Sequence, residues 1–287
     1  GPDQFSSVTF ANDINPDPVW ELPADEMTTR YKLSFFARPL SEKKLKLRGW
    51  YQYQHSNDPA YGSSIEDGHA AFLGAEWHPS MRWGIGVNAR ADFDKNRDSL
   101  IVLDDGNTNT RYFRDRDSEK QNLTAMLWAN PTETFSFGAY YGYLRTRIEQ
   151  DLLFGTQVSG GFVLPANDTE YSQWVQTATA NFNWALLRKL TLRGKGRYIR
   201  SHADYDPEFL DTTLDYNGFI ATATSEGLRE LSKIDIRQFG GSAGLDWRPA
   251  ETWRTSFTYT YDKYDDLDAE IFDGKVETYM VSLAKSW

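Results

Sequence analysis

Three rows of basic side chains carry the clearest chemical consequence in this sequence. Lys44, Lys46 and Arg48 recur at every second position of one segment, Arg82 and Arg90 fall on another, and Arg193, Lys195 and Arg197 repeat the spacing on a third. At a period of two, such residues share one face of an extended strand. Glu76 and Asp92 are acidic residues that would oppose them. Fixed charge on a water-facing wall sets ion preference when the wall lines a pore, and these eight cations are the candidate pore-lining residues. The same charges would equally fill a plugged lumen by pairing with one another, and the sequence leaves both uses open.

Other chemistry is poorly supplied. His55, His69, His78 and His202 are scattered over different segments and read as strand-end histidines rather than as metal or haem ligands. A hydrolase would need a nucleophile beside a histidine on neighbouring strands. His78 and Ser80 are close in sequence but sit in a tight turn, so no catalytic residue is assigned and no enzyme activity is expected. Asp92, Asp94, Asp98, Asp104 and Asp105, and later Asp262, Asp265, Asp266, Asp268 and Asp273, could offer oxygen ligands to calcium. They lack the twelve-residue loop pattern of a dedicated site and read as solvated loops, so no metal residue is assigned either. With no cysteine, disulfides, thiolate metal sites and covalent haem attachment are excluded, and no cofactor of the chain's own is expected.

The elements that must position the basic rows are strands. Lys43 to Gln54 alternates without a break, placing Leu45, Leu47, Gly49, Tyr51 and Tyr53 on one face and Lys44, Lys46, Arg48, Trp50 and Gln52 on the other. Trp83, Ile85, Val87, Ala89, Ala91 and Phe93 alternate with Arg82, Gly84, Gly86, Asn88, Arg90 and Asp92 in the same way. So do Phe135 to Tyr143 and Trp253 to Asp262. A soluble strand runs about 5–6 residues, whereas a tilted strand crossing a bilayer needs about 9–11. Segments of that length, apolar on one face and aromatic at their ends, are the sequence sign of an outer-membrane β-barrel. A large soluble β protein that binds glycans is the competing reading, because a sheet with one wet face alternates too.

Bulk composition agrees with the barrel. Hydrophobic residues are 40% of the 287, and no run of about 18 apolar residues would make a transmembrane helix. Aromatic residues reach 15%, including 10 Trp and 16 Tyr, the types that settle at membrane interfaces. The net charge of -10 argues against nucleic-acid binding, which needs a basic footprint. No signal peptide is seen, as expected of a mature or trimmed chain.

Strand-like runs fall at 29–39, 43–55, 68–78, 81–94, 117–129, 134–149, 170–185, 189–202, 233–248, 252–263 and 275–287. Short turns at Pro39, Pro79, Pro131, Leu186 and Pro249 alternate with long polar loops at 56–67, 95–116, 150–169, 203–232 and 264–274. That is the pattern of short periplasmic turns and long extracellular loops. Residues 1–28 form an N-terminal segment in which Phe5 to Phe10 is a candidate first strand, and 29–287 is the barrel. The expected fold is therefore an all-β, transmembrane, antiparallel up-and-down barrel. Complete bacterial barrels have even strand numbers, so the runs imply about twelve strands with Phe5 to Phe10, or part of a larger barrel without it. Tyr279, Val281, Leu283 and Trp287 give the alternating, aromatic-ended C-terminus of outer-membrane proteins, broken at Lys285.

One phrase recurs, a short proline turn leading into alternating apolar residues and ending in Tyr-x-Tyr: RPLSEKKLKLRGWYQYQHSND, NPTETFSFGAYYGYLRTR and RPAETWRTSFTYTYDKYDD. It resembles the MtrB/PioB-type outer-membrane barrels that associate with decahaem cytochromes, over most of residues 29–287. The resemblance implies a structural sheath: a barrel around a periplasmic multihaem cytochrome that docks a second one outside, with lipid and lipopolysaccharide as its surroundings. Barrels of that type have about twice as many strands, so the resemblance implies part of a sheath or a shifted function. A solute-diffusing porin with a basic lumen is the alternative.

Overall fold

The computed structural model describes residues 27–40, 44–57, 65–104, 109–156, 163–206, 212–216, 219–223, 232–268 and 272–285. These form β1 (Thr28–Ala37), β2 (Leu45–Ser56), β3 (Asp67–Ser80), β4 (Trp83–Asp104), β5 (Asn109–Ala129), β6 (Phe135–Thr156), β7 (Val163–Leu187) and β8 (Leu190–Asp206). After a small hairpin of β9 (Thr212–Tyr216) and β10 (Phe219–Ala223) follow β11 (Ile234–Ala250), β12 (Trp253–Asp266) and β13 (Gly274–Lys285). Eleven strands make one sheet in chain order, β1 to β8 and then β11, β12 and β13, every neighbouring pair antiparallel. The hairpin stands apart as a two-stranded sheet.

Every expected run is a strand, and the ends at short turns agree within a few residues. Agreement fails at the long loops. β4 continues to Asp104 and β5 begins at Asn109, so most of 95–116 is an extended ribbon. β6 and β7 extend likewise through most of 150–169, and β9 and β10 lie inside 203–232. These ribbons stand beyond the length a bilayer requires. There the alternation of apolar and polar residues fades, as in Asp115-Arg-Asp-Ser-Glu-Lys, while backbone pairing across the hairpin persists.

Proline explains the irregularities at the other rim. Pro79 and Pro249 lie inside the register shifts between Trp77 and Ser80 and between Trp247 and Ala250. Lacking an N–H, proline is tolerated in a ladder where a bulge interrupts it. The main chain next to each proline stays paired across the rim: His78 N–H donates to the Lys44 carbonyl at 2.7 Å, and Arg248 N–H to the Lys189 carbonyl at 2.8 Å.

Among the described residues no protein core covers the sheet. Among the described residues Ala203 is the only buried hydrophobic side chain, while Leu73 (56% exposed), Val87 (40%), Phe257 (43%) and Leu283 (65%) stand on the outer face of their strands. Leaving each such side chain in water forfeits about 1.5–3 kcal/mol, so the apolar face must meet something other than water. A soluble sheet would need a second layer over this face, and the described residues supply none. Where Gly49 leaves a gap on this face, the Phe35 ring from the neighbouring strand fills it.

Among the described residues β1 and β13 pair on one side only and not with each other, so closure of the barrel is not seen. The candidate strand Phe5 to Phe10 and the terminal Trp287 lie outside the described residues.

Candidate functional site

The polar face of the sheet gathers the basic rows. Lys46 and Arg48 of β2 both approach the Glu76 carboxylate of β3 at 3.6 Å. Arg48 also reaches over Gly74 to donate to Asn88 Oδ1 of β4 at 3.3 Å. A Cβ on Gly74 would stand 3.0 Å from Arg48 Nε and 2.8 Å from Asn88 Oδ1, so the glycine opens the path. Arg90 is held by both oxygens of Asp92, two residues along its own strand, at 2.7 and 2.8 Å.

The same construction recurs on β8, β11 and β12. Arg197 of β8, Gly240 of β11 and Asp262 of β12 stand in one row, and the Arg197 guanidinium crosses the glycine to the carboxylate at 2.7 Å. A Cβ on Gly240 would collide with that carboxylate. Two steps nearer the short turns, Arg193 contacts Asp246 at 2.9 Å and Arg254 contacts the same acid at 3.5 Å. Gln238 adds a donor to Asp262 at 3.3 Å. Lys195 lies between the two arginines and has no ion-pair partner among the described residues. It lines a cavity of about 220 Å³ with Asn181, Asn183, Ser242 and Thr258.

Two members of the basic set lie outside the strands. Lys44 precedes β2, and Arg82 lies in the turn between β3 and β4, where its guanidinium donates to the Pro131 carbonyl at 3.3 Å. The histidines serve separate local contacts. His55 meets Asp67 at 3.1 Å, His69 meets the Tyr51 hydroxyl at 2.7 Å, His78 lies against Trp128, and His202 stacks on Trp174 near Asp235. No group of three or more acidic, histidine or cysteine side chains that could hold a metal occurs among the described residues. The late acidic cluster divides between uses: Asp262 faces the polar side, Asp265 pairs with Arg237 at 3.1 Å on the other, and Asp266 accepts backbone N–H groups of Asp268 and Phe272. Outside the strands, Lys233 pairs with Asp268, whose hydrogen bond raises the lysine above its ordinary range.

Asp246, Asn88 and the glycines Gly74 and Gly240 shape these contacts and are missed when only the basic residues are listed. Period two does place Asp246 on the polar face, but which acid meets which arginine depends on register, and no local signal sets it.

The apolar face is banded. Trp77, Trp83, Trp184, Trp247 and Trp253 line it at the short-turn rim, with Trp77 edge-on to Trp83 at 5.2 Å. Toward the long-loop rim the same face carries Arg147 with Glu170 at 2.8 Å, Arg200 with Asp235 at 2.9 Å, and Trp174 under Arg200 at 5.2 Å. A tryptophan belt, an apolar stripe and a charged aromatic rim match the interface, hydrocarbon and headgroup layers of a bilayer.

No protein-family model and no curated protein matches the chain. Solved structures do. The FrpB iron transporter from Neisseria meningitidis matches with a TM-score of 0.56 at 10% identity, over 90% of this chain and 42% of that one. FpvA of P. aeruginosa, solved bound to heterologous pyoverdines, matches with a TM-score of 0.53 at 9% identity, over 89% of this chain and 38% of that one. The chain thus spans less than half the length of these structures. At such identity the likeness is one of fold: an antiparallel, up-and-down, outer-membrane β-barrel sheet, in keeping with the expected outer-membrane location.

Proposed function

We propose that the chain is part of the wall of an outer-membrane passage that insulates and holds a polar cargo, a sheath for multihaem cytochromes entering from the periplasm and docking outside. The observation that carries this reading is the ion-paired polar face. Arg193 and Arg197 are held in hydrogen-bonded pairs by Asp246 and Asp262, so on this side of the wall these two cations are fixed against the sheet rather than presented free to the lumen. Such a surface suits contact with a folded protein, whereas steep ion selection calls for unpaired rings of one sign. The cytochrome partner itself comes from the resemblance of the proline-turn phrases. On the lipid side, Arg147, Arg200 and Arg237 stand at the level where lipopolysaccharide headgroups would meet the wall.

Solute diffusion is the second reading, favoured by Lys195, a cation on the polar face with no acidic partner among the described residues. Proteoliposomes separate the two. As a sheath, the chain passes electrons from an internal donor to an external acceptor only when multihaem cytochromes are added, and gives no steady conductance alone. Steady anion-preferring conductance, unchanged by the cytochromes, would overturn the sheath in favour of the porin. Electron transfer by the haem-free chain alone would overturn both.

A further inference from the structure

On the polar face of β1 to β5, beside the ion pairs just described, lies a cavity of about 400 Å³. Its floor is Gly68 and Ala70 on β3, positions that offer almost no side chain. Gln52 and Gln54 of β2 wall one side and Asp92 and Asp94 of β4 the other, while Lys32 and Lys120 reach in from the strands beyond. One end is aromatic: the Trp50 indole stacks with the Phe72 ring at 6.0 Å and 17°. Lys32 Nζ lies 4.6 Å from the indole centroid and the Arg90 guanidinium 5.5 Å.

Here, unlike at Arg193 and Arg197, most of the polar groups have no hydrogen-bonded partner. Among the described residues the Gln52 amide makes no hydrogen bond, Lys32 and Lys120 have no carboxylate within ion-pair distance, and the Asp94 carboxylate has no hydrogen-bond donor. Gln54 accepts from Arg30 at 2.8 Å through its oxygen, which leaves its NH₂ to donate into the cavity. Arg90 is locked by Asp92 and so serves as a fixed rim.

We propose that this cavity is a binding subsite for a small acidic sugar, of the hexuronic acid class. A pyranose ring offers C–H groups to an aromatic surface and hydroxyls that both donate and accept, which the amides and Asp94 complement. The two unpaired lysines against one unpaired carboxylate select a ligand with a single negative charge. The volume suits one or two sugar rings, at the small end of ligand pockets. The inference rests on the polar face being wet, and not on which cargo the passage holds.

The test uses the full chain in nanodiscs with D-glucuronate as probe, followed by saturation-transfer NMR. Binding in the millimolar range is expected, with D-glucose bound more weakly. Gln52→Ala together with Gln54→Ala should weaken glucuronate by about tenfold or more while heat-modifiable migration persists. Acetate competing as well as glucuronate would reduce the site to a bare anion contact and overturn the sugar. Equal binding of glucose would overturn the acid preference, and no saturation transfer at all would overturn the subsite. A cysteine placed at Gln52 and challenged with an aqueous maleimide separates the failures: labelling without binding sinks the site alone, and no labelling sinks the wet face with it.

Discussion

The polar face of one sheet is built in two ways. On β8, β11 and β12, cations of one strand meet acids of another, Arg197 reaching Asp262 across the bare backbone of Gly240 and Arg193 sharing Asp246 with Arg254. Around β2 to β4, the Arg90 and Asp92 pair closes on its own strand, and the space beside Trp50 is left to Gln52, Lys32, Lys120 and Asp94, which have no such partners. Identical strand geometry and similar composition thus give one wall whose arginines are all paired across strands, the satisfied wall although Lys195 stands apart, and one, the unsatisfied wall, whose central groups are not. What differs is the position of the small residues. Gly240 in the middle of a row of partners brings charges together, whereas Gly68 and Ala70, with unpaired groups around them, open a cavity.

Both regions share one apolar back, which sets the largest expected effect. Leu73→Arg behind the unsatisfied wall and Ala243→Arg behind the satisfied one, each on the apolar face inside the tryptophan belt, should each cost about 2–4 kcal/mol in a lipid refolding titration. A large cost in one region only would mean that just that region spans the membrane. Substitutions on the polar face then divide the regions. Asp246→Ala strands Arg193 and Arg254 and should cost about 1–3 kcal/mol, lessened by the water that reaches the arginines. Gly240→Ala pushes Asp262 off Arg197 and should cost about 1 kcal/mol in the same titration, and combining it with Asp262→Asn should show the two effects are not additive. The smallest effect belongs to Asp94→Asn, which breaks no pair and should stay within about 0.5 kcal/mol. A cost for Asp94→Asn equal to that for Asp246→Ala would erase the distinction between the walls.

Much of the fold was legible because a membrane strand repeats its signal. The alternation from Leu45 to Tyr53 and from Trp83 to Phe93 is long enough to set facing without help from tertiary structure, and Pro39, Pro79 and Pro249 punctuate the short turns. The ribbons from Lys95 to Asp104 and from Asn109 to Arg116 carry a loop-like sequence, because once a hairpin leaves the bilayer neither face needs to be apolar, and only backbone pairing marks the strand. Along the polar face, period two showed that Arg193 and Arg197 share a side. That Asp262 answers Arg197 follows from the register of three strands, the partners standing 65 positions apart, which no local pattern encodes. The Trp50 cavity is hidden for the same reason: Gln52 reads as one member of a polar face, and its lack of a partner depends on Ala70 facing it from the next strand, with Gly68 opposite Gln54.

The central claim is that one face of the sheet meets lipid and the other water, and β4 tests it most directly. The chain has no cysteine, so single cysteines at Ile85, Gly86, Val87, Asn88, Ala89 and Arg90 report without background. In proteoliposomes an aqueous maleimide should label positions 86, 88 and 90 and spare 85, 87 and 89, while a quencher carried in the acyl chains should show the reverse order. Uniform aqueous labelling of all six positions, or the same alternation inverted, would contradict the account.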